Sequence, residues 1–178
     1  MESAARVLAR RGFEAFTTNE VAELAGVAIG SLYEYFPTKQ VLVAEVVRRE
    51  LAAVTEELRA VSYVDARPLR ERLEAWVRVA ADALGRRAKL TRVIWTQVPF
   101  LWELDEVRAL PLHLVQLSRA MLVNQRESWV ADDPDASAYV MMVMVRAALL
   151  ESVIALPDSL SQERVQRTLV NVLEQLLT

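Results

Sequence analysis

The chain has 178 residues, of which 53% are hydrophobic and 25% charged. That length holds one or two small domains with a real core, and that composition excludes a disordered chain. With no cysteine there is neither a disulfide framework nor a Cys-based metal or nucleophile site, and a net charge of −3 means that contact with any polyanion must be local.

The opening Met1-Glu2-Ser3 and the residues up to Arg11 are amphipathic and charged, unlike a signal peptide, so a cytoplasmic location is expected. A first helix runs to Arg10-Arg11, with cations in its last turn and Gly12 beyond its end. Thr17 and Glu20 have the Thr-x-x-Glu spacing of a capping box, which starts a second helix with Val21, Ala22, Leu24 and Ala25 as its apolar stripe. Gly26 then supplies a left-handed turn, and Val27 and Leu32 flank a short third helix closed by Tyr35-Phe36. Two helices joined at a steep angle by a short Gly turn form a helix-turn-helix, whose second helix enters the DNA major groove. Ala22, Gly26 and Leu32 alone leave an ordinary helical turn equally open. Gly30 shifts the balance. It costs about 1 kcal/mol inside a short helix and suits a backbone that something approaches closely. Ser31, Tyr33 and Tyr35 place hydroxyls nearby, a group that binds phosphate oxygens. Thr38 caps the next helix and Lys39 stands in its first turn, an anion site.

From Thr38, apolar residues at Val41, Leu42, Val47, Leu51, Val54, Leu58 and Val61 predict a long fourth helix, broken by residues 62–68. Leu69, Leu73, Trp76, Val77, Ala80 and Leu84 mark a fifth helix ending near Gly85, and residues 88–98 a sixth, stopped by Pro99. Asp105 caps a seventh, in which Pro111 implies a late start or a kink. Asp132-Asp133-Pro134 opens an eighth, and Ser159 with Gln162 caps a ninth. No alternating strand pattern and no repeat interrupts the series.

Residues 139–156 are apolar on nearly every face. Arg146 and Glu151 sit centrally in a stretch of minimal spanning length, and each central charge costs roughly 2.5–3.5 kcal/mol in a bilayer, which argues against a membrane span. A helix that is apolar all round needs cover on two sides, and a second copy of the chain is the simplest outer partner. The ninth helix has a similarly broad stripe, so Val140, Met144, Ala148, Leu169, Leu173 and Leu176 are the expected homodimer interface.

The middle of the chain holds Trp76, Trp95, Phe100, Trp102 and Trp129, with Met121 nearby. Core filling is the plainer reading of each. The lone His113 lies beside Leu112 and Leu114 with no second His and no Gly-rich phosphate loop, so no enzyme activity, metal or cofactor is expected.

The run from Arg10 to Leu42 resembles the N-terminal domain of the tetracycline-repressor-like (TetR) family of bacterial transcription regulators. The resemblance is carried by Gly12-Phe13, Thr17-Thr18, Val21-Ala22, Ala25-Gly26-Val27, Gly30-Ser31-Leu32-Tyr33, Tyr35-Phe36 and Thr38-Lys39, each at the family's offset, and covers about the first 48 residues. It implies an all-α chain of about nine helices. Residues 1–45 would be a three-helix helix-turn-helix DNA-binding domain, and residues 46–178 a helical effector-binding and dimerisation domain. Thr18, Ser31, Tyr33 and Lys39 would bind phosphate, with Gly30 and Tyr35 beside them, and Ala28 and Ile29 would face base edges. It also implies a small apolar effector held by Trp76, Trp95, Phe100, Trp102 and Met121, with Arg78, Arg92 and Gln97 as candidate polar fixers. The function implied is that of a ligand-responsive repressor binding a near-palindromic operator as a homodimer. The rival reading is a ligand-sensing or scaffold dimer without DNA binding.

Two departures from the family pattern matter. Ala28 and Ile29 cannot hydrogen-bond a base edge, though they suit a thymine methyl, so direct readout is expected to be weak, with Glu34 contributing. Residues 1–50 hold six basic side chains against seven acidic ones, a balance of −1 where a basic footprint is usual. The family usually carries a basic arm before its first helix. Without one, binding is expected to be weaker and less sensitive to salt.

Overall fold

The computed structural model describes residues 1–63, 67–123, 133–156 and 160–177. Among them every element is helical: α1 (Glu2–Ala15), α2 (Thr18–Ala25), α3 (Ile29–Tyr35), α4 (Lys39–Ser62), α5 (Leu69–Gly85), α6 (Ala88–Gln97), a 3-10 turn (Leu101–Glu103), α7 (Asp105–Val123), α8 (Pro134–Ile154) and α9 (Gln162–Leu177). Trp129, Asp132 and Ser159 lie outside the described residues.

Local chemistry sets most of these boundaries. Gly12 leaves the helical region at φ 74°, kinking α1 where its end was expected. Thr17 caps α2, its hydroxyl accepting from the Glu20 amide at 3.3 Å. Gly26 ends α2 at φ 69°. Thr38 accepts from the Val41 amide at 3.2 Å and so caps α4. Asp133 accepts from the amides of Asp135 and Ala136, both at 3.0 Å, with Pro134 in the first helical position. Pro111 does not delay the helix: α7 starts at Asp105 and runs through it, so of the two expectations the late start is corrected.

The chain divides into two compact units. One comprises Met1–Ala52 and Arg87–Arg108, the other Ala53–Arg86 and Ala109–Thr178. This division does not follow a cut at residue 45, because α6 fills the core of the first unit. Val7 and Leu8 of α1, Val21 of α2 and Val43 and Val47 of α4 close there around Leu90 and Ile94. Polar contacts fasten α6 at both ends. Arg87 reaches Glu2 of α1 at 2.7 Å and Glu50 of α4 at 3.0 Å. Gln97 Oε1 accepts from the Phe13 amide at 3.1 Å, beside the Gly12 kink.

In the second unit α5, α8 and α9 pack on one another. One stripe of α8 (Ala138, Met141, Met142, Val145, Leu149 and Val153) is buried. By length and composition α8 alone among the described helices is apolar enough to cross a membrane, but that stripe is covered by helices of its own unit. Arg72 is buried among them at 3% exposure. Trp76 is buried as well, and its indole N–H donates to Ser62 Oγ at 3.1 Å, while that hydroxyl donates to the Leu58 carbonyl at 2.7 Å.

Two stability predictions follow from these contacts. Ser62→Ala leaves the Trp76 N–H without its acceptor and should cost about 1–3 kcal/mol in urea unfolding. A Cβ at Gly12 would collide with Gln97 Oε1, whereas one at Gly26 meets nothing, and both glycines hold positive φ. Gly26→Ala should therefore cost about 1–2 kcal/mol, and Gly12→Ala roughly 1 kcal/mol more through the lost Phe13–Gln97 bond. Equal costs at the two positions would contradict the packing described for Gly12.

Candidate nucleic-acid interface

Helix α3 contains seven residues and buries none of them. Leu32 and Phe36 lie half-covered against the core of the first unit and anchor it. Everything else on α3 is exposed: Ile29 at 38%, Tyr33 at 45%, Tyr35 at 76%, with Gly30, Ser31 and Glu34 between them. Ala28 precedes the helix and offers its amide end no side-chain cap. A Cβ built at Gly30 meets nothing within 4 Å, so no packing inside the chain requires glycine there.

The hydroxyl set is arranged differently from a row of independent phosphate ligands. Thr18 is buried, at 8% exposure, and its hydroxyl lies 2.9 Å from that of Tyr33. It therefore orients Tyr33, whose side chain is the more exposed of the two. Lys39 is partly covered: its Nζ donates to the Glu14 carbonyl at 3.0 Å and lies 4.5 Å from the centre of the Phe13 ring. An ammonium has three donors, so an anion can share it. Ser31 and Tyr35 are free on the surface of α3.

Sequence reasoning missed one constellation. By sequence Arg10 and Arg11 are helix-end cations and Glu20 is half of a capping box. In the structure Glu20 turns to both arginines: Arg11 Nε sits 3.1 Å from each carboxylate oxygen, and Arg10 Nη2 bonds Oε1. Partial desolvation works to raise the Glu20 carboxyl, and Arg11 and Arg10 outweigh it, holding it below its ordinary value. The cluster is thus intact at neutral pH, and its stabilisation fades as pH falls through that depressed value.

The aromatic set is shared between the units. Trp95 and Trp102 meet edge to face at 5.6 Å, and Phe100 meets Phe13 at 5.7 Å, all in the first unit. Trp102 remains 61% exposed. Trp76 and Met121 belong to the second unit and are buried there. Of the polar fixers, Gln97 is engaged by Phe13, and Arg78 and Arg92 are exposed. His113 is also exposed. No group of three or more His, Cys, Asp or Glu side chains poised for a metal occurs among the described residues.

The expected dimer residues also separate. Val140 and Leu176 are exposed at 40% and 48%, and Met144 and Ala148 are half-buried. Leu169 and Leu173 are buried, at 7% and 0%, in the core of their own unit. Val172, at 41% exposure, takes the outward place on α9.

Residues 1–46 match the family model of bacterial regulatory proteins of the tetR family. The HTH-type transcriptional repressor KstR2 of Mycobacterium tuberculosis is 34% identical over 84 residues, which cover 47% of this chain and 42% of that protein, less than half its length. The HTH-type transcriptional regulator BetI of Rhizobium meliloti is 29% identical over 170 residues, covering 90% of this chain and 82% of BetI. Two solved structures share the fold. A TetR-family regulator from Mesorhizobium loti aligns with a TM-score of 0.74 at 17% identity, covering 99% and 93% of the two chains. FadR from Bacillus subtilis, in complex with stearoyl-CoA, aligns with a TM-score of 0.71 at 15% identity, covering 97% and 94%. Helix content, the turn at Gly26, the outward α3 and these matches agree: residues 1–46 match the N-terminal domain of bacterial regulatory proteins of the tetR family, and the chain as a whole shares the fold of the solved TetR-family structures.

Proposed function

We propose that this chain is a cytoplasmic transcriptional regulator that binds a near-palindromic operator as a homodimer, and that it acts as a ligand-responsive repressor rather than an enzyme. One observation carries the reading: α3 buries no residue and leans on the core only through half-covered Leu32, so its other faces are available to a groove. Its open Gly30 permits close approach of a duplex, and Ala28 and Ile29 present methyl groups suited to thymine. Ser31, Tyr33, Tyr35 and a shared Lys39 supply the backbone contacts, and Thr18 holds Tyr33 in place. In functional terms, residues 1–45 carry the DNA contacts and residues 46–178 the dimer contacts and effector response.

Two heads must stand about 34–36 Å apart to meet successive major grooves, so dimerisation sets the reach. The outward apolar row on the second unit, Val140, Met144 and Ala148 of α8 with Val172 and Leu176 of α9, is the interface we assign. FadR of Bacillus subtilis, solved with stearoyl-CoA, supports an effector that carries a long apolar chain. Such a ligand shifts DNA affinity only by its differential affinity for the two head arrangements.

A gel shift on the duplex flanking the chain's own gene tests the reading. Tyr33→Ala should weaken binding about tenfold to every sequence, and Thr18→Val should lose part of the same affinity. Ile29→Ala should cost about fourfold only at sites with thymine facing that residue. No shift at low salt by the native protein favours the rival sensing or scaffold dimer, for which the head's near-neutral charge speaks. For the interface, Val172→Glu combined with Leu176→Glu should give folded monomers by light scattering. Leu173→Glu should instead destabilise the fold by about 3 kcal/mol or more, because it buries an unpaired charge. Intact dimers from the double variant would move the interface elsewhere.

A further inference from the structure

We propose that Arg10 and Arg11 form a second contact surface for the phosphate backbone of duplex DNA, and that Glu20 holds it shut within the free protein. The proposal rests on the DNA-binding reading above. In a helix-turn-helix the first motif helix crosses the sugar-phosphate backbone while the second enters the groove. Glu20 stands in the first turn of that first helix, α2, and draws both guanidinium groups to the same place. Neither arginine is a core residue. Their side chains are 58% and 53% exposed, against 20% for Glu20. One carboxylate neutralises one of two positive charges, so the trio keeps a net charge of +1 facing solvent.

The rest of the head sharpens the point. Lys39 lies on the Glu14 carbonyl, Arg48 on Glu106 and Arg49 on Glu45. Five of the six cations in residues 1–50 are thus engaged by acceptors of the chain itself. A phosphodiester and a carboxylate accept from guanidinium in the same forked geometry, so an arriving backbone phosphate competes directly with Glu20. Binding must therefore exchange one anion for another. The head consequently gathers fewer phosphates than its arginines allow, and weak binding away from the operator follows from this contact.

Fluorescence anisotropy on a labelled mixed-sequence duplex, from about 50 to 200 mM salt, tests this, because non-specific affinity is almost wholly electrostatic. Glu20→Gln keeps the shape of the side chain and removes its charge. It should bind about tenfold tighter at the lowest salt, and the plot of log affinity against log salt should steepen by about 1–2, since each phosphate contact contributes about 0.9. Adding Arg10→Ala and Arg11→Ala to that variant should abolish both changes. Glu23→Gln, the same charge change on an exposed residue of the same helix, should leave the slope unaltered. An unchanged slope in Glu20→Gln, or a gain that survives loss of both arginines, overturns the proposal. Should Glu20→Gln fail to fold by circular dichroism, Arg10→Ala combined with Arg11→Ala in the native background decides: the plot of log affinity against log salt should flatten by about 1, and an unchanged slope overturns the proposal. These outcomes are separate from the operator gel shift, which fails or succeeds on specific binding.

Discussion

A helix of seven residues cannot hold itself together. Isolated helices below about 12–15 residues are marginal in water, and α3 adds to that the lack of a side-chain cap and the presence of Gly30. It persists because it is fixed from outside. The left-handed Gly26 sets its direction, Leu32 and Phe36 pin one edge, and Tyr33 is tied to Thr18 of α2. That economy leaves the other faces bare. The exposure that makes α3 a candidate reader of DNA and the fragility of a short helix have one physical origin.

The support beneath α3 comes from a distant part of the sequence. Helix α6 joins α1, α2 and α4 in one core, with Arg87 binding both α1 and α4 at its start and Gln97 meeting the α1 kink at its end. Exposed ion pairs of this kind contribute at most about 1 kcal/mol each, so buried Leu90, Val93 and Ile94 carry most of the stability. Phe13 concentrates several of these contacts. Its amide is held by Gln97, its ring packs against Phe100, and Lys39 lies over its face. The cation that opens α4 and an element from residues 87–108 thus share one aromatic residue.

How much of this could be read from the sequence depended on range. Features decided within a few residues were legible: the Thr17, Thr38 and Asp133 caps, the turn at Gly26 and the order of the helices among the described residues, while α1 continues past Gly12, where its end is expected from the sequence. Features decided by long-range packing were not. The incorporation of α6 into the head depends on which apolar faces meet, which periodicity does not specify. The broad stripe of α9 gave no reason to turn Leu173 inward and Val172 outward until α5 and α8 were in place. Thr18 and Ser31 look alike as hydroxyl donors, yet the first is buried and the second open, because Thr18 lies on a covered face of α2 and Ser31 on a face of α3 away from its Leu32 anchor. Glu20 matched a capping box, but two guanidinium groups outcompete a single backbone amide for a carboxylate.

The account stands on α3 being the surface that meets DNA. Amide hydrogen exchange, compared with and without the duplex flanking the chain's own gene, measures that directly. Residues 28–35 and the start of α4 at 38–41 should exchange rapidly in the free protein and gain protection on the duplex, while the exposed rows of α8 and α9 remain as they were. Protection confined to α8 and α9, with residues 28–35 unchanged, would contradict it.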